Sequence, residues 1–164
     1  MTITLGINGF GRIGRCTLAH IAEAARNDVQ VVKINATGPL ETNAHLLKYD
    51  SVHGRFGGEV RLTEDTMDLG QGPIKVFSTY DPQELDWEGC DVVLECTGKF
   101  NNRDAAAVHL TRGAKRVLVS APAKQADKTI VYGVNHRDLR EDHHVVSNGS
   151  CTTNCLAPLA KVLN

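Results

Sequence analysis

Ile3-Thr4-Leu5-Gly6-Ile7 runs directly into Asn8-Gly9-Phe10-Gly11-Arg12-Ile13-Gly14, and a helical pattern begins inside the glycines. A strand, glycines spaced G-x-G-x-x-G and a helix, in that order, leave few folds open. The first glycine permits a tight turn, the second lets a pyrophosphate approach the backbone, and the third lets helix and strand pack closely. The helix is expected over 12–26, burying Ile13, Cys16, Ile21 and Ala24 or Ala25. A second apolar strand, Val29-Gln30-Val31-Val32-Lys33-Ile34, completes a β-α-β unit, and that context turns a common glycine turn into a dinucleotide-binding signal. One part of the pattern is missing. A carboxylate at the end of the second strand would hold the ribose 2′-hydroxyl of NAD, but the chain reads Asn35-Ala36-Thr37-Gly38, with no acid between Asp28 and Glu41. Either NAD is held less firmly, or the site admits the 2′-phosphate that a carboxylate would repel. The cofactor is therefore read as NAD or NADP, with Thr37 as a hydroxyl donor and Lys33 as a cation for that phosphate. On the same reading Ala36→Asp would restore preference for NAD.

The remaining pattern is an α/β fold with a doubly wound, mostly parallel sheet. A helix is expected over 39–49, with Leu40, Ala44 and Leu47 on one side. Residues 59–63, 66–69 and 74–77 alternate with period two around the turn Gly70-Gln71-Gly72-Pro73, which reads as an antiparallel insertion. Strands resume at 91–95, 116–120, 129–134 and 144–147, with a helix over 103–112. Ligands of such sheets bind beyond the carboxyl ends of the strands, which makes Thr97, Gly98 and Ser120 candidates for the cleft.

The second chemical feature is Asn148-Gly149-Ser150-Cys151-Thr152-Thr153-Asn154-Cys155-Leu156-Ala157-Pro158. Asn-Gly signals a turn and Ser150 is a good N-cap, so Cys151 falls in the first turn of a helix running toward Leu163. Unpaired backbone N–H groups and the helix dipole favour an anion there, and the thiolate is the nucleophilic form of cysteine. The same N–H groups suit an oxyanion formed when sulfur attacks a carbonyl. Pro158 cannot donate to the carbonyl of Asn154 and is expected to bend the helix. Cys-x3-Cys lacks zinc-finger spacing, and nothing pairs His45 or His53 at metal spacing, so no metal is expected.

Composition narrows the function classes. A net charge of −1 over 164 residues gives no general attraction for nucleic acid or an anionic membrane. No apolar run approaches the roughly 20 residues that span a bilayer. Five cysteines without framework spacing suit a reducing compartment, and a cytoplasmic location is expected.

Three blocks together carry a resemblance: residues 8–15, residues 45–54 (His-Leu-Leu-Lys-Tyr-Asp-Ser-Val-His-Gly) and residues 147–158. They resemble the amino-terminal part of the phosphorylating glyceraldehyde-3-phosphate dehydrogenases, an enzyme family of glycolysis. The resemblance implies a Rossmann-type dinucleotide-binding domain over 1–148, with 149–164 as the first helix of a catalytic domain. It implies oxidation of glyceraldehyde 3-phosphate through a thiohemiacetal on Cys151, hydride transfer to the nicotinamide, and release of 1,3-bisphosphoglycerate by inorganic phosphate. It places Ser150 and Thr152 near substrate or phosphate, Arg12 and Ile13 against the pyrophosphate, and Thr97, Gly98 and Ser120 near the cofactor. Asn8, Gly9, Gly11 and Gly14 form the cofactor turn, with Ala36 and Thr37 at the ribose. Tyr80 stands where many members place Arg beside the adenine, Ala36 replaces the usual Asp, and Gly149 the usual Ala. A homotetramer is implied. The 164 residues by themselves are expected to bind nucleotide without turnover and to self-associate through Leu156, Leu159 and Leu163. The competing readings are a nucleotide-binding module without chemistry and a sister enzyme acting on erythrose 4-phosphate.

Overall fold

In the computed structural model, which describes residues 2–164, the first strand β1 (Ile3–Asn8) leads into α1 (Arg12–Glu23) and β2 (Val29–Asn35). β1 and β2 pair in parallel, from Ile3 opposite Val29 to Asn8 opposite Asn35, so both strands end at the same level. α1 turns Gly14, Leu18 and Ile21 inward, so that of the expected set only Ile21 is buried. Ile13 is 53% exposed, Cys16 is half-buried, and Ala24 and Ala25 lie beyond the helix in solvent. Close approach of Gly14 to the end of β1 sets this rotation, and Leu18 and Ile21 follow at i+4 and i+7.

The helix α2 (Leu40–Lys48) buries Ala44 and Leu47 as expected, and a small hairpin of β3 (Tyr49–Asp50) and β4 (Gly54–Arg55) follows it. Next come β5 (Arg61–Leu62), β6 (Thr66–Asp68) and β7 (Pro73–Phe77). β5 and β6 are antiparallel, and so are β6 and β7, but β7 also pairs in parallel with β2 through Lys33–Lys75 and Asn35–Phe77. The antiparallel insertion thus extends the parallel sheet through β7. β8 (Val92–Glu95) returns to the other side of β1, followed by α3 (Arg103–Ala106), α4 (Val108–Thr111) and β9 (Arg116–Val119). The helix expected over 103–112 is interrupted at Ala107, whose carbonyl accepts from Leu110 three residues on. β10 (Lys128–Thr129) and β11 (Val145–Ser147) complete one sheet in the order β10-β11-β9-β8-β1-β2-β7-β6-β5. The strand expected over 129–134 stops at Thr129, because Asn135 draws the chain into a turn by accepting from the Val131 N–H at 2.7 Å.

Apolar clusters form the core. Leu5, Ile7, Val31 and Ile34 pack with Leu18 and Ile21 of α1 and with Ala44 and Leu47 of α2. A second cluster gathers Leu85, Trp87, Cys90, Val93 and Ala114, with Val32 against it, and a third joins Ala106, Val117, Val119 and Val145. Neighbouring residues Val31 and Val32 fall in different clusters, as the alternation of a strand covered on both faces requires. The last helix, α5 (Cys151–Leu163), buries none of its residues and continues through Pro158. Among the described residues no helix is long and apolar enough to cross a membrane.

Candidate active site

The chain passes outward from β1 to β2 and β7, then returns to β8 on the opposite side of β1, so strand order reverses between β1 and β8. Open α/β sheets bind ligands at such a switch point. Here the carboxyl ends of β1, β2, β7 and β8 border a cleft of about 390 Å³. Of the expected cofactor residues, Asn8, Gly9, Gly11, Thr37, Tyr80 and Thr97 line it. Arg12, Ile13, Gly14, Ala36, Gly98 and Ser120 are not among its lining residues.

The glycine turn has the shape of a phosphate cradle. Gly9 has φ +96°, and a Cβ there would lie 2.7 Å from the Thr97 nitrogen. A Cβ on Gly14 would lie 2.3 Å from the Gly9 carbonyl oxygen, whereas one on Gly11 would meet no atom within 4 Å. The turn is therefore closed toward the protein and open above Gly11. The first turn of α1 has no side-chain cap and no acidic residue, leaving its N–H groups to an anion. These features fit the pyrophosphate of a dinucleotide.

Ala36 differs from its expected place. It is 1% exposed, packs in the core, and its N–H donates to the Phe77 carbonyl at 2.9 Å. Thr37, one residue on, is exposed and lines the cleft. Lys33 also does not serve the ribose edge. Its Nζ lies 2.8 Å from Asp86 Oδ2 and donates to the Glu88 carbonyl at 2.8 Å. The cations that line the cleft are Arg15, which donates to the Phe10 carbonyl at 3.0 Å, and Lys99, whose Nζ sits 5.3 Å from the Tyr80 ring centroid. Lys99 escaped the sequence reading although it directly follows Thr97 and Gly98. Arg12, expected at the pyrophosphate, instead pairs with Asp50 at 3.0 Å.

Below the cleft lies a buried polar network whose one local signal is a glutamate closing the apolar run Val92-Val93-Leu94. Glu95 and His109 have fully buried side chains, with His109 Nε2 2.9 Å from Glu95 Oε2. Trp87 Nε1–H donates to His109 Nδ1 at 3.0 Å. An indole nitrogen can only donate, so Nδ1 accepts and the ring proton sits on Nε2, facing the carboxylate. Asn8 Nδ2 donates to the same Oε2 at 2.6 Å, and the Thr97 N–H donates to Oε1 at 2.7 Å, joined there by the Thr97 hydroxyl. Asn35 extends the network by donating to Asn8 Oδ1 at 2.8 Å and accepting from the Thr79 N–H at 3.1 Å. One buried carboxylate thus fixes Asn8, Thr97 and, through Asn35, Thr79, and all of these line the cleft.

Cys151 is exposed in the first turn of α5 and is not among the lining residues of the cleft. Ser150 caps the helix by accepting from the Thr153 N–H at 2.9 Å, and its hydroxyl also meets the Thr152 and Thr153 hydroxyls at 2.8 and 2.7 Å. Asn154 Nδ2 closes the preceding turn by donating to the carbonyls of Asn148 and Ser150. Among the described residues, the N–H groups of Cys151 and Thr152 have no partner. Two donors therefore remain beside the sulfur, the arrangement an oxyanion needs. Of the other thiols, Cys155 is exposed, whereas burial pushes Cys90 and Cys96 up to about 11.

The structure also assembles a group that sequence spacing did not suggest: Cys16 on α1 meets Asp50 and His53 of the β3–β4 hairpin.

Comparison with known proteins shows what this arrangement accompanies. Residues 3–103 match the family model described as glyceraldehyde 3-phosphate dehydrogenase, NAD binding domain. The chain is 62% identical over 166 residues to the glyceraldehyde-3-phosphate dehydrogenase of Xanthobacter flavus, an alignment covering 100% of this chain and 50% of that protein. It is 60% identical over 164 residues to the enzyme of that name from Cereibacter sphaeroides, covering 100% and 49%. With that of Pseudomonas aeruginosa the identity is 53% over 167 residues, covering 100% and 50%. The chain spans about half the length of the curated relatives it matches.

Proposed function

The chain belongs to the glyceraldehyde-3-phosphate dehydrogenase family, whose NAD-binding domain it carries, and from that premise we propose that it furnishes the cofactor half and the nucleophile of an NAD(P)-dependent oxidation of glyceraldehyde 3-phosphate to 1,3-bisphosphoglycerate. The observation that carries the reading is the open glycine cradle at the switch point of the sheet, in a chain that also presents Cys151 beside two unpartnered N–H donors. In this reading residues 1–148 form the dinucleotide domain, and 149–164 begin the catalytic one. Asn8, Gly9 and Gly11 hold the pyrophosphate, and Thr97 borders the same cleft. Tyr80 and Lys99 supply an aromatic face and a charge beside it. Bound there, the nicotinamide supplies a hydride acceptor. The Cys151 sulfur would add to the aldehyde carbon, with the N–H groups of Cys151 and Thr152 receiving the resulting oxyanion. Loss of hydride to that acceptor would leave a thioester on Cys151, whose acyl carbon inorganic phosphate would then take, with the Cys151 thiolate as leaving group. Ser150 holds the first turn in place, and Thr152 stands next to the reacting sulfur.

An uncharged ribose edge, with Thr37 and Lys99 on the cleft, supports binding of NADP at least comparable to that of NAD. We also assign the family's homotetrameric assembly and a cytoplasmic location, the latter supported by five cysteines without disulfide spacing. The test joins this chain to the carboxyl-terminal half of the Xanthobacter flavus relative. The fusion should turn over glyceraldehyde 3-phosphate with phosphate and lose that turnover on Cys151→Ser. The 164 residues alone should bind NAD or NADP in a calorimeter without turnover. Absence of nucleotide binding by both proteins would refute the proposal.

A further inference from the structure

We propose that Cys16, Asp50 and His53 form a binding site for a divalent transition metal of the zinc type, outside the dinucleotide cleft. The three side chains border a separate groove of about 400 Å³ between α1 and the β3–β4 hairpin. Cys16 Sγ lies 3.8 Å from His53 Nδ1, and His53 Nδ1 lies 3.2 Å from Asp50 Oδ1. All three ligand atoms fall within 4.8 Å of one another. Tetrahedral zinc, with bonds of about 2.3 Å to sulfur and about 2.0–2.2 Å to nitrogen and oxygen, separates its ligand atoms by roughly 3.3–3.6 Å. The observed spacings depart from that by a few tenths of an ångström at the two measured edges. Thiolate, imidazole and carboxylate are also the donor set that zinc accepts, and three protein ligands leave a fourth position for water.

Two further observations bear on the site. The Asp50 carboxylate is held in orientation by the N–H groups of Val52 and His53, each at 2.8 Å to Oδ1, within the turn itself. The Arg12 guanidinium already reaches into the same group, with Nη1 3.0 Å from Asp50 Oδ2 and 3.8 Å from Cys16 Sγ. A positive charge thus touches two of the three ligands. Arg12 is the metal's competitor; its partly exposed side chain also donates to Asp50 Oδ1 at 3.2 Å and to Ser51 Oγ at 3.3 Å, contacts that a bound metal would displace. The metal takes the thiol in its deprotonated form and draws on His53 Nδ1, leaving the ring proton on Nε2.

The experiment uses the full chain carrying Cys151→Ser and Cys155→Ser, so that the two exposed thiols of α5 cannot bind. Zinc is titrated by calorimetry, and cobalt by the near-ultraviolet charge-transfer absorbance that a thiolate ligand produces. One metal should bind per chain, with the charge-transfer band. Cys16→Ser should abolish the band, and His53→Gln should weaken binding by at least about tenfold. Arg12→Gln should tighten it, a gain of affinity that misfolding cannot imitate. A band surviving Cys16→Ser, an absence of saturable binding, or an affinity unchanged or reduced by Arg12→Gln would overturn the site.

Discussion

The carboxylate of Glu95 shows how one residue can govern a cleft that it does not line. Its two oxygens face donors only, His109 and Asn8 on one and the Thr97 backbone and hydroxyl on the other. Glu95→Gln would turn an amide NH₂ toward one of these pairs, donor against donor. Hydrogen bonds to a charged group contribute about 1.5–3 kcal/mol each, so a loss of about 2–3 kcal/mol in urea-unfolding stability is expected, with weaker NAD binding because Thr97 and Asn8 lose their anchor. A variant within about 0.5 kcal/mol of the unmodified chain would show that the network is not under this strain. Cofactor choice rests on another single position. Sequence alone pointed to Ala36 as the place to restore a carboxylate, but Ala36 is in the core, where an added charge would disturb folding before it met a ribose. The exposed neighbour Thr37 is the better site. Two like charges about 4 Å apart near a surface repel by about 4 kcal/mol at an effective dielectric near 20. Thr37→Asp should therefore weaken NADP by at least about tenfold in calorimetric titration while changing NAD far less. Equal losses for both cofactors would place Thr37 away from the 2′ edge.

At the scale of elements, the strand–turn–helix–strand unit was legible because local chemistry decides it. Glycines at fixed offsets can serve one turn, and the apolar runs before and after can only be strands. Legibility fell where partners came from far along the chain. The run after Lys128 has strand composition, yet the Asn135 side chain captures its backbone after two paired residues. The inward face of α1 was read correctly at Ile21 but not at Gly14 and Leu18, because Gly14, where a Cβ would lie 3.1 Å from the Ile7 side chain, packs against β1 without an apolar side chain to signal it. α5 was read correctly in extent, since its Ser150 cap is a local signal. That cap has a measurable consequence of an unusual kind. Loss of a serine cap costs about 1 kcal/mol, but α5 buries none of its residues, so the cost should fall on local fraying and not on global unfolding. Ser150→Ala should speed hydrogen exchange of α5 amides about fivefold while leaving the urea midpoint unchanged. Equal shifts in both would mean that α5 unfolds with the sheet. The same helix sets cysteine reactivity. Cys151 is exposed beside free N–H donors, whereas burial raises the Cys90 and Cys96 thiols to about 11. Limiting iodoacetamide followed by peptide mapping should label Cys151 ahead of Cys16, Cys90 and Cys96, and uniform labelling of all five would contradict this.

Over the whole molecule, the nine-stranded sheet separates a well-covered interior from one bare element. The central strands have apolar clusters packed on them, and their carboxyl ends carry the cleft. α5 leaves the last strand of the chain and projects Leu156, Leu159, Val162 and Leu163, between 57% and 87% exposed. Lys161 tethers it by donating to the Gly133 and Val134 carbonyls at 2.6 and 3.2 Å, and these polar contacts cover no apolar surface. Single exposed leucines are ordinary, but four large apolar side chains within eight residues of one helix make a contiguous patch of the kind that drives association. Net charge adds no barrier, because −1 over 164 residues gives little repulsion between copies. The 164-residue chain should therefore self-associate as concentration rises, and Leu156→Glu with Leu159→Glu should return it to a monomer without loss of nucleotide binding, since neither residue lines the cleft. Sedimentation velocity over a hundredfold range of concentration reads both outcomes. A clean monomer throughout, before any substitution, would mean that α5 folds back onto the sheet in solution.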